Sequence, residues 1–534
     1  MLSDVLLEER LPGWWLHNNK GCDVNAKMMD GCKNRRLLSV LDKYFCLIFG
    51  LFTMKRVRII AAKTLVTAGM AIVMSTAAKA SIGSPCKTTI YHPDHDHLWN
   101  RVHEALFVRV DEDGRERGRD SVDPLLWPET SEFLLQGESH EEIITLLDEF
   151  IAKDGEKLIW DPLKRAVLQH DLWAVFDWTA NVLNPLPFGG RVDPEIIATG
   201  ELNAKRKALR QRLTIVIPRL ALEKSVIANL TDNYTAAVKS GAFTSKLDLA
   251  HRSKQVQVRA FLLDSHFNPR FDPEHPPKHY LPTDLLEPHG SWVCIRGPLP
   301  GPSAPVHVEY YRGRSPFLVL LRLPDGRQAT LDYLKQLNQA SARESDAKKW
   351  KQQLPQFPVG TAVALVRLMM VVDQTGEIIP TPIVQTAQFR VYREVGSDVK
   401  NHEGSQAVYK YVMQRARLFS GKQGGLRAMT AHEHSGLSLI YNDDEFQVNG
   451  SKHNRQTVMQ SCIDCHSCGG PTVHSIFTFR QDEWVPGARS LTHNNLRLLP
   501  TRIDLEFDRV KAWKTDRYDW GLLQGLLQAR PTHN

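Results

Sequence analysis

From about residue 96 to residue 246 the apolar residues recur at helical spacing. Ile143, Leu147, Phe150 and Ile151 share one face, and Ser139 with Glu142 ahead of them form a capping box. Asp161-Pro162 supplies an N-cap and a first-turn proline for a segment through Trp173, Phe176 and Trp178, whose aromatics are expected in a core. Lys205, Arg206, Lys207, Arg210 and Arg212 follow on a further helical stretch ending near Pro218 and read as a solvated face. Between residues 268 and 305 proline is dense, which predicts an extended connector around one short strand at 292–295. Beyond it the pattern becomes strand-like. Residues 317–323, a turn at Pro324-Asp325-Gly326 and residues 328–331 read as a hairpin. Residues 362–372 and 383–392, joined by a turn ending at Gly376, read as a second antiparallel pair. The run from 359 to 372 is apolar nearly throughout, so part of it should be buried on both faces. Residues 408–419 then look helical, 421–425 a loop, and Ser461 a helix start.

These periods predict an α+β, multi-domain chain with a helical N-terminal region, a β-rich middle and a mainly helical or irregular C-terminal segment. The expected divisions are a helical domain at 81–265, a Pro-rich connector at 266–305, a β-rich domain at 306–395 and a C-terminal segment at 396–534. No repeat recurs at solenoid or propeller periods.

The start of the chain changes the picture of compartment. Met54 is followed by Lys55, Arg56 and Arg58, an apolar run at 65–74 and Ala78-Lys79-Ala80, the order of a secretory signal peptide cleaved after Ala80. Residues 54–80 are therefore expected to be a leader and residues 1–53 a non-native upstream extension. Membrane attachment is expected only if the N-terminal apolar segment is retained. The formal net charge is +7, but residues 1–80 carry 12 of the 67 basic and 6 of the 60 acidic residues. The remainder is close to charge balance, and nucleic acid is not an implied partner. In an oxidising compartment Cys86 and Cys294 are available to pair.

Cys462-Ile463-Asp464-Cys465-His466 carries the candidate chemistry. Two thiols separated by two residues can add to the two vinyl groups of a haem, and the next residue places an imidazole on the iron. The motif occurs once, so one haem per chain is expected, with Cys462 and Cys465 as attachment points and His466 as proximal iron ligand. In these five residues, together with an export signal, the chain resembles c-type cytochromes. That resemblance implies covalent haem c, a periplasmic or otherwise exported location and a redox partner protein. The motif departs from the ordinary single-haem pattern by lying near the end of the chain with no Met after it. The expected distal ligands are His474 or His493, with His432, His434, His453 and Met459 as upstream candidates.

Zinc competes for the same residues. Cys462, Cys465, Cys468 and either His466 or His474 make a four-ligand tetrahedral set, which suits an exported binding or structural protein. His92, Asp94, His95, Asp96 and His97 also hold metal-ligating groups, but read as a polar loop before a helix at Leu98. His432-Glu433-His434 lacks the helical i, i+4 spacing of zinc proteases, and no phosphate-cradling loop or nucleophile elbow occurs.

Overall fold

The computed structural model describes residues 88–110, 116–120, 140–180, 200–247, 279–297, 301–343, 354–396, 405–429, 466, 472–476 and 497–528. Its helices are α1 (Leu98–Phe107), α2 (His140–Ala152), α3 (Pro162–Ala180), α4 (Gly200–Arg219), α5 (Lys224–Ala228), α6 (Asn233–Lys239), α7 (Pro305–Tyr310), α8 (Arg327–Arg343), α9 (Arg415–Phe419), α10 (Ile503–Thr515) and α11 (Tyr518–Gln528). The strands are β1 (Arg109–Val110), β2 (Glu116–Arg117), β3 (Val293–Arg296), β4 (Phe317–Arg322), β5 (Ala362–Val372), β6 (Ile378–Tyr392), β7 (Gln406–Met413), β8 (Leu426–Ala428) and β9 (Leu499–Pro500). The fold is mixed α+β: β1 and β2 pair with each other, and the other seven make one antiparallel sheet in the order β8-β7-β6-β5-β4-β3-β9.

Strand alternation splits the core into two layers. On β4, Phe317, Val319 and Leu321 enter one layer while Leu318 and Leu320 enter the other, as a period of two requires. The first layer gathers Trp99 of α1, Phe150 of α2, Trp173 of α3, Leu213 of α4, Leu337 of α8 and Leu523 of α11. The second holds Ile227 of α5, Tyr234 of α6, Tyr280 and Trp292. Both sheet faces are thus covered, which is why β5 reads as an almost unbroken apolar run. Helix α3 lies in the middle and is buried from Ala166 to Ala180. It begins as its sequence predicts, with an Asp161 carboxylate oxygen accepting from the Leu163 and Lys164 amides at 2.9 and 3.2 Å. Gln169 docks it on β5, donating to the Val372 carbonyl at 2.7 Å and accepting from its amide at 3.0 Å.

Two elements differ from the reading of the sequence. Residues 328–331 are the first turn of α8, not a return strand: Thr330, Tyr333, Leu334 and Leu337 are buried at helical spacing. A four-residue apolar run has no period long enough to separate the two. Residues 408–413 belong to β7, where Tyr411 and Met413 alternate into the second layer, and the helix is the short α9 that follows. The sheet also crosses the expected divisions, taking β3 from the Pro-rich stretch and β7, β8 and β9 from the C-terminal one. Cys294 on β3 is a free, buried thiol whose pKa burial pushes up to about 12, while Cys86 lies outside the described residues. The signal segment and residues 1–53 also lie outside them. Among the described residues no helix is long and apolar enough to cross a membrane.

One close approach fixes α6 against the turn before β8. Gly424 has φ +58°, and a Cβ there would sit 1.9 Å from the Asn233 carbonyl oxygen and 2.6 Å from the Ala237 amide nitrogen. Asn233 in turn exchanges hydrogen bonds with the Val384 backbone of β6 at 2.9 and 2.7 Å. Gly424→Ala is expected to lower stability by about 2–3 kcal/mol, from a left-handed backbone combined with a backbone clash. A urea midpoint unchanged from wild type would contradict that.

Candidate haem- or metal-binding site

Of the residues expected to hold a cofactor, His466 is the one whose side chain is described. Cys462, Cys465, Cys468, His493, His432, His434, His453 and Met459 lie outside the described residues, and His474 lies in the short 3-10 turn Val473–Ile476.

The site begins with the pattern of β6. From Thr386 to Tyr392 the strand alternates, with Ala387, Phe389 and Val391 facing the second layer. The intervening residues Gln388, Arg390 and Tyr392 therefore face the first. Register continues this across the sheet: Val319 pairs with Leu365, Leu365 with Gln388 and Gln388 with Lys410. One sheet face thus runs from apolar on β4 and β5 to polar on β6 and β7. Gln388, Arg390, Gln406 and Lys410 are nonetheless buried.

The segment 472–476 meets this polar face at Arg390 and Tyr392. Arg390 donates through Nη1 to the Ser475 carbonyl at 2.8 Å and through Nη2 to the Ile476 carbonyl at 2.9 Å. Tyr392 Oη lies 2.8 Å from Ser475 Oγ, and the Val473 amide donates to Gln356 Oε1 at 3.0 Å. The same Ser475 carbonyl accepts from His466 Nδ1 at 3.1 Å. A carbonyl can only accept, so Nδ1 carries the proton and Nε2 is left with the lone pair. This is how proteins commonly orient a metal-ligating imidazole: one ring nitrogen held by a carbonyl, the other offered to the metal. Burial, then the charge of Arg390 and the nearby His307, hold the His466 pKa well below its usual value, so the ring is neutral and competent as a ligand.

His466 borders a partly open cavity with about 30 Å³ of room, space for a water-sized group and far below the ~300–1,000 Å³ usual for cofactor and small-molecule sites. Val319, Val363, Leu365, Val306 and Ile476 make its apolar walls, and His307, Gln388 and Arg390 are its other polar groups. Among the described residues no carboxylate lines it. Arg390 is the one cation among its described lining residues, and room of this size suits a single metal ion at the preoriented imidazole but does not enclose a porphyrin, so the described residues do not by themselves fit the haem that the motif implies.

His307 and Arg390 escape sequence reasoning. His307 stands in the short helix α7, 159 positions before His466, and no local motif marks it. Arg390 had a signal, a charged residue alternating with Phe389 and Val391 on a strand expected to be buried. Its ring tilted on Phe317, with centroids 5.3 Å apart, His307 is held neutral: burial first, then the charges of Lys410 and Arg390, lower its pKa to about 4.

The cluster near residue 92 is a capping loop. Asp94, His95 and Asp96 bring ligand atoms within 4.8 Å of one another. Their neighbours are nevertheless local: His92 Nδ1 accepts from the Asp94 amide, Asp94 Oδ1 from the Asp96 amide, and His97 Nδ1 from the Trp99 amide that opens α1. Asn100 closes the loop by donating to the His92 and Asp94 carbonyls, each at 2.7 Å.

Other buried polar groups lie outside the cavity. His170 of α3 donates through Nδ1 to the Met370 carbonyl at 2.8 Å, and its Nε2 accepts from Gln385, which in turn accepts from Ser315 Oγ at 2.7 Å. Lys514 of α10 meets Asp177 and Asp519, each at 2.7 Å, and Asp177 also faces Arg314 at 3.0 Å. Both join segments distant in sequence. Compared with protein-family models, with curated proteins and with solved structures, the chain finds no match.

Proposed function

We propose that this is an exported monohaem c-type cytochrome-like protein that serves electron transfer or a haem-based redox reaction, docking a redox partner protein. In this reading Cys462 and Cys465 hold haem c through thioether bonds, His466 binds the iron, and the C-terminal stretch is the haem-bearing part beside a helical N-terminal region and a β-rich middle. The observation that carries it is the His466 Nδ1 bond to the Ser475 carbonyl, which leaves the Nε2 lone pair available to a metal at the end of the Cys-x-x-Cys-His motif. When bound, the iron supplies one-electron redox chemistry. The chain's own part is to fix the imidazole: Arg390 anchors the Ser475 carbonyl to β6, and that carbonyl sets the tautomer and angle of His466.

A carbonyl-held neutral imidazole beside Cys-x-x-Cys also suits zinc, with Cys462, Cys465 and Cys468 as the other three ligands. Expression in a host with a haem-attachment system separates the readings. The denatured wild-type chain is expected to stain for haem peroxidase activity on a gel, and Cys462→Ser together with Cys465→Ser to abolish the stain. An exported, unstained wild type containing one equivalent of zinc would establish the zinc reading instead. N-terminal sequencing of the exported chain is expected to begin at Ser81.

A further inference from the structure

We infer that docking of the C-terminal helix pair, α10 and α11, takes a proton into a buried cluster of two carboxylates on one ammonium, so that the pair closes more firmly in mild acid than at neutral pH. This stands apart from the haem and zinc readings, since none of the cluster's residues borders the cavity at His466.

On α10 the buried residues are Glu506, Val510 and Lys514, four apart and so on one face, and only one of the three is apolar. Docking of that face therefore depends on how its charges are met. Lys514 Nζ reaches Asp177 of α3 and Asp519 of α11, each at 2.7 Å, and none of the three side chains is exposed. The Lys514 stem packs on Gly313, where a Cβ would come within 3.2 Å of Lys514 Cβ. Among the described residues, the next charge facing Asp177 is Arg314, at 3.0 Å in the turn before β4. One step further out, Arg517 joins Asp519 at 3.1 Å to Glu309 of α7 at 2.5 Å, and Arg312 lies 4.0 Å from Glu309.

Two carboxylates that share one buried ammonium repel each other, and removal from water penalises their charged forms further. Burial first, reinforced by Asp519, outweighs Lys514 and Arg314 and raises the Asp177 pKa to about 6 from an ordinary 3.8. At the other end of the same face burial also raises the Glu506 pKa, although this carboxylate accepts from the Ser303 amide and hydroxyl at 2.6 and 2.8 Å. Release of the helix pair opens Asp177 to water and returns it toward its ordinary value. The docked state thus binds the proton more tightly, and its advantage grows as pH falls from about 6 toward 3.8. An exposed ion pair acts in the opposite sense: Arg502 lowers the Asp504 pKa, and that contact is lost in acid.

The test is amide hydrogen exchange on the full-length protein at pH 7 and pH 5, corrected for the intrinsic exchange rate at each pH, with amides of α3 and β5 reporting global unfolding. The opening constant of α10 and α11 is expected to fall about tenfold from pH 7 to pH 5, the change that a docked-state pKa of about 6 produces. Asp177→Asn keeps the shape of the protonated acid and should lose most of this dependence, and adding Glu506→Gln should remove the rest. An opening constant that stays level or rises toward pH 5 would overturn the proposal, as would an Asp177→Asn protein with the wild-type dependence, or α10 and α11 amides that exchange only with the global event. The first and last of these outcomes need wild type alone.

Discussion

Asp171→Ala is expected to lower the unfolding free energy by about 3–5 kcal/mol, the cost of stranding one charge of a buried pair. Asp171 of α3 and Arg415 of α9 are both almost wholly buried and meet as two parallel hydrogen bonds, Nη2 to Oδ1 at 2.6 Å and Nε to Oδ2 at 3.1 Å. Tyr91 Oη donates to the same carboxylate at 3.4 Å. Burial works against the Arg415 charge, but Asp171, with Tyr91 and Asp120, together outweigh it and raise the guanidinium pKa. Remove that carboxylate and a cation that cannot lose its proton stays under α3. Replacing both members by apolar residues of similar size, Asp171→Leu with Arg415→Met, should recover most of the loss, because the pair's attraction mainly offsets its own desolvation. Urea unfolding of the three proteins measures this; a single variant within 1 kcal/mol of wild type would show that water reaches the site.

The same pair shows where reading the sequence stops. Helix α3, its Asp161 cap, the β5–β6 hairpin and the two-sided burial of β5 all follow from local period and turn chemistry, and the sequence reading states each of them. The α8 start and β7 do not follow, since short apolar runs take whichever period their neighbours in space impose. Long-range polar pairs are less accessible still: Asp171 and Arg415 are 244 positions apart, and each alone reads as a surface charge on its element. At the candidate site, Cys462, Cys465 and His466 are legible because a covalent chemistry fixes their spacing. His307 and Arg390 are not, because the fold alone brings them to one cavity.

Stability should also fall as pH drops below about 6.5, and His103 is expected to carry a large share of that fall. His103 of α1 is fully buried, packed edge-on to Tyr91 and beside Phe107, and donates through Nε2 to the Arg119 carbonyl at 2.8 Å. Its Nδ1 has no hydrogen-bond partner among the described residues. Burial first, then the charge of Arg415, lower its pKa to about 3, so the folded protein keeps the ring neutral where the unfolded chain, titrating near 6.5, protonates it. Between those two values the unfolded state binds more protons, and unfolding becomes easier by about 1.4 kcal/mol per pH unit for this group. The contribution is therefore complete above pH 6.5 and lost progressively toward pH 3. His103→Gln keeps a donor for the Arg119 carbonyl but does not titrate. Between pH 7 and pH 5 wild type should lose about 2 kcal/mol more than the variant, since His307 and His466 titrate alike in both. Urea unfolding at the two pH values gives the difference directly. Equal losses would mean that the pocket around Tyr91 and Phe107 opens to admit the proton, so that His103 titrates in the folded protein much as it does in the unfolded chain.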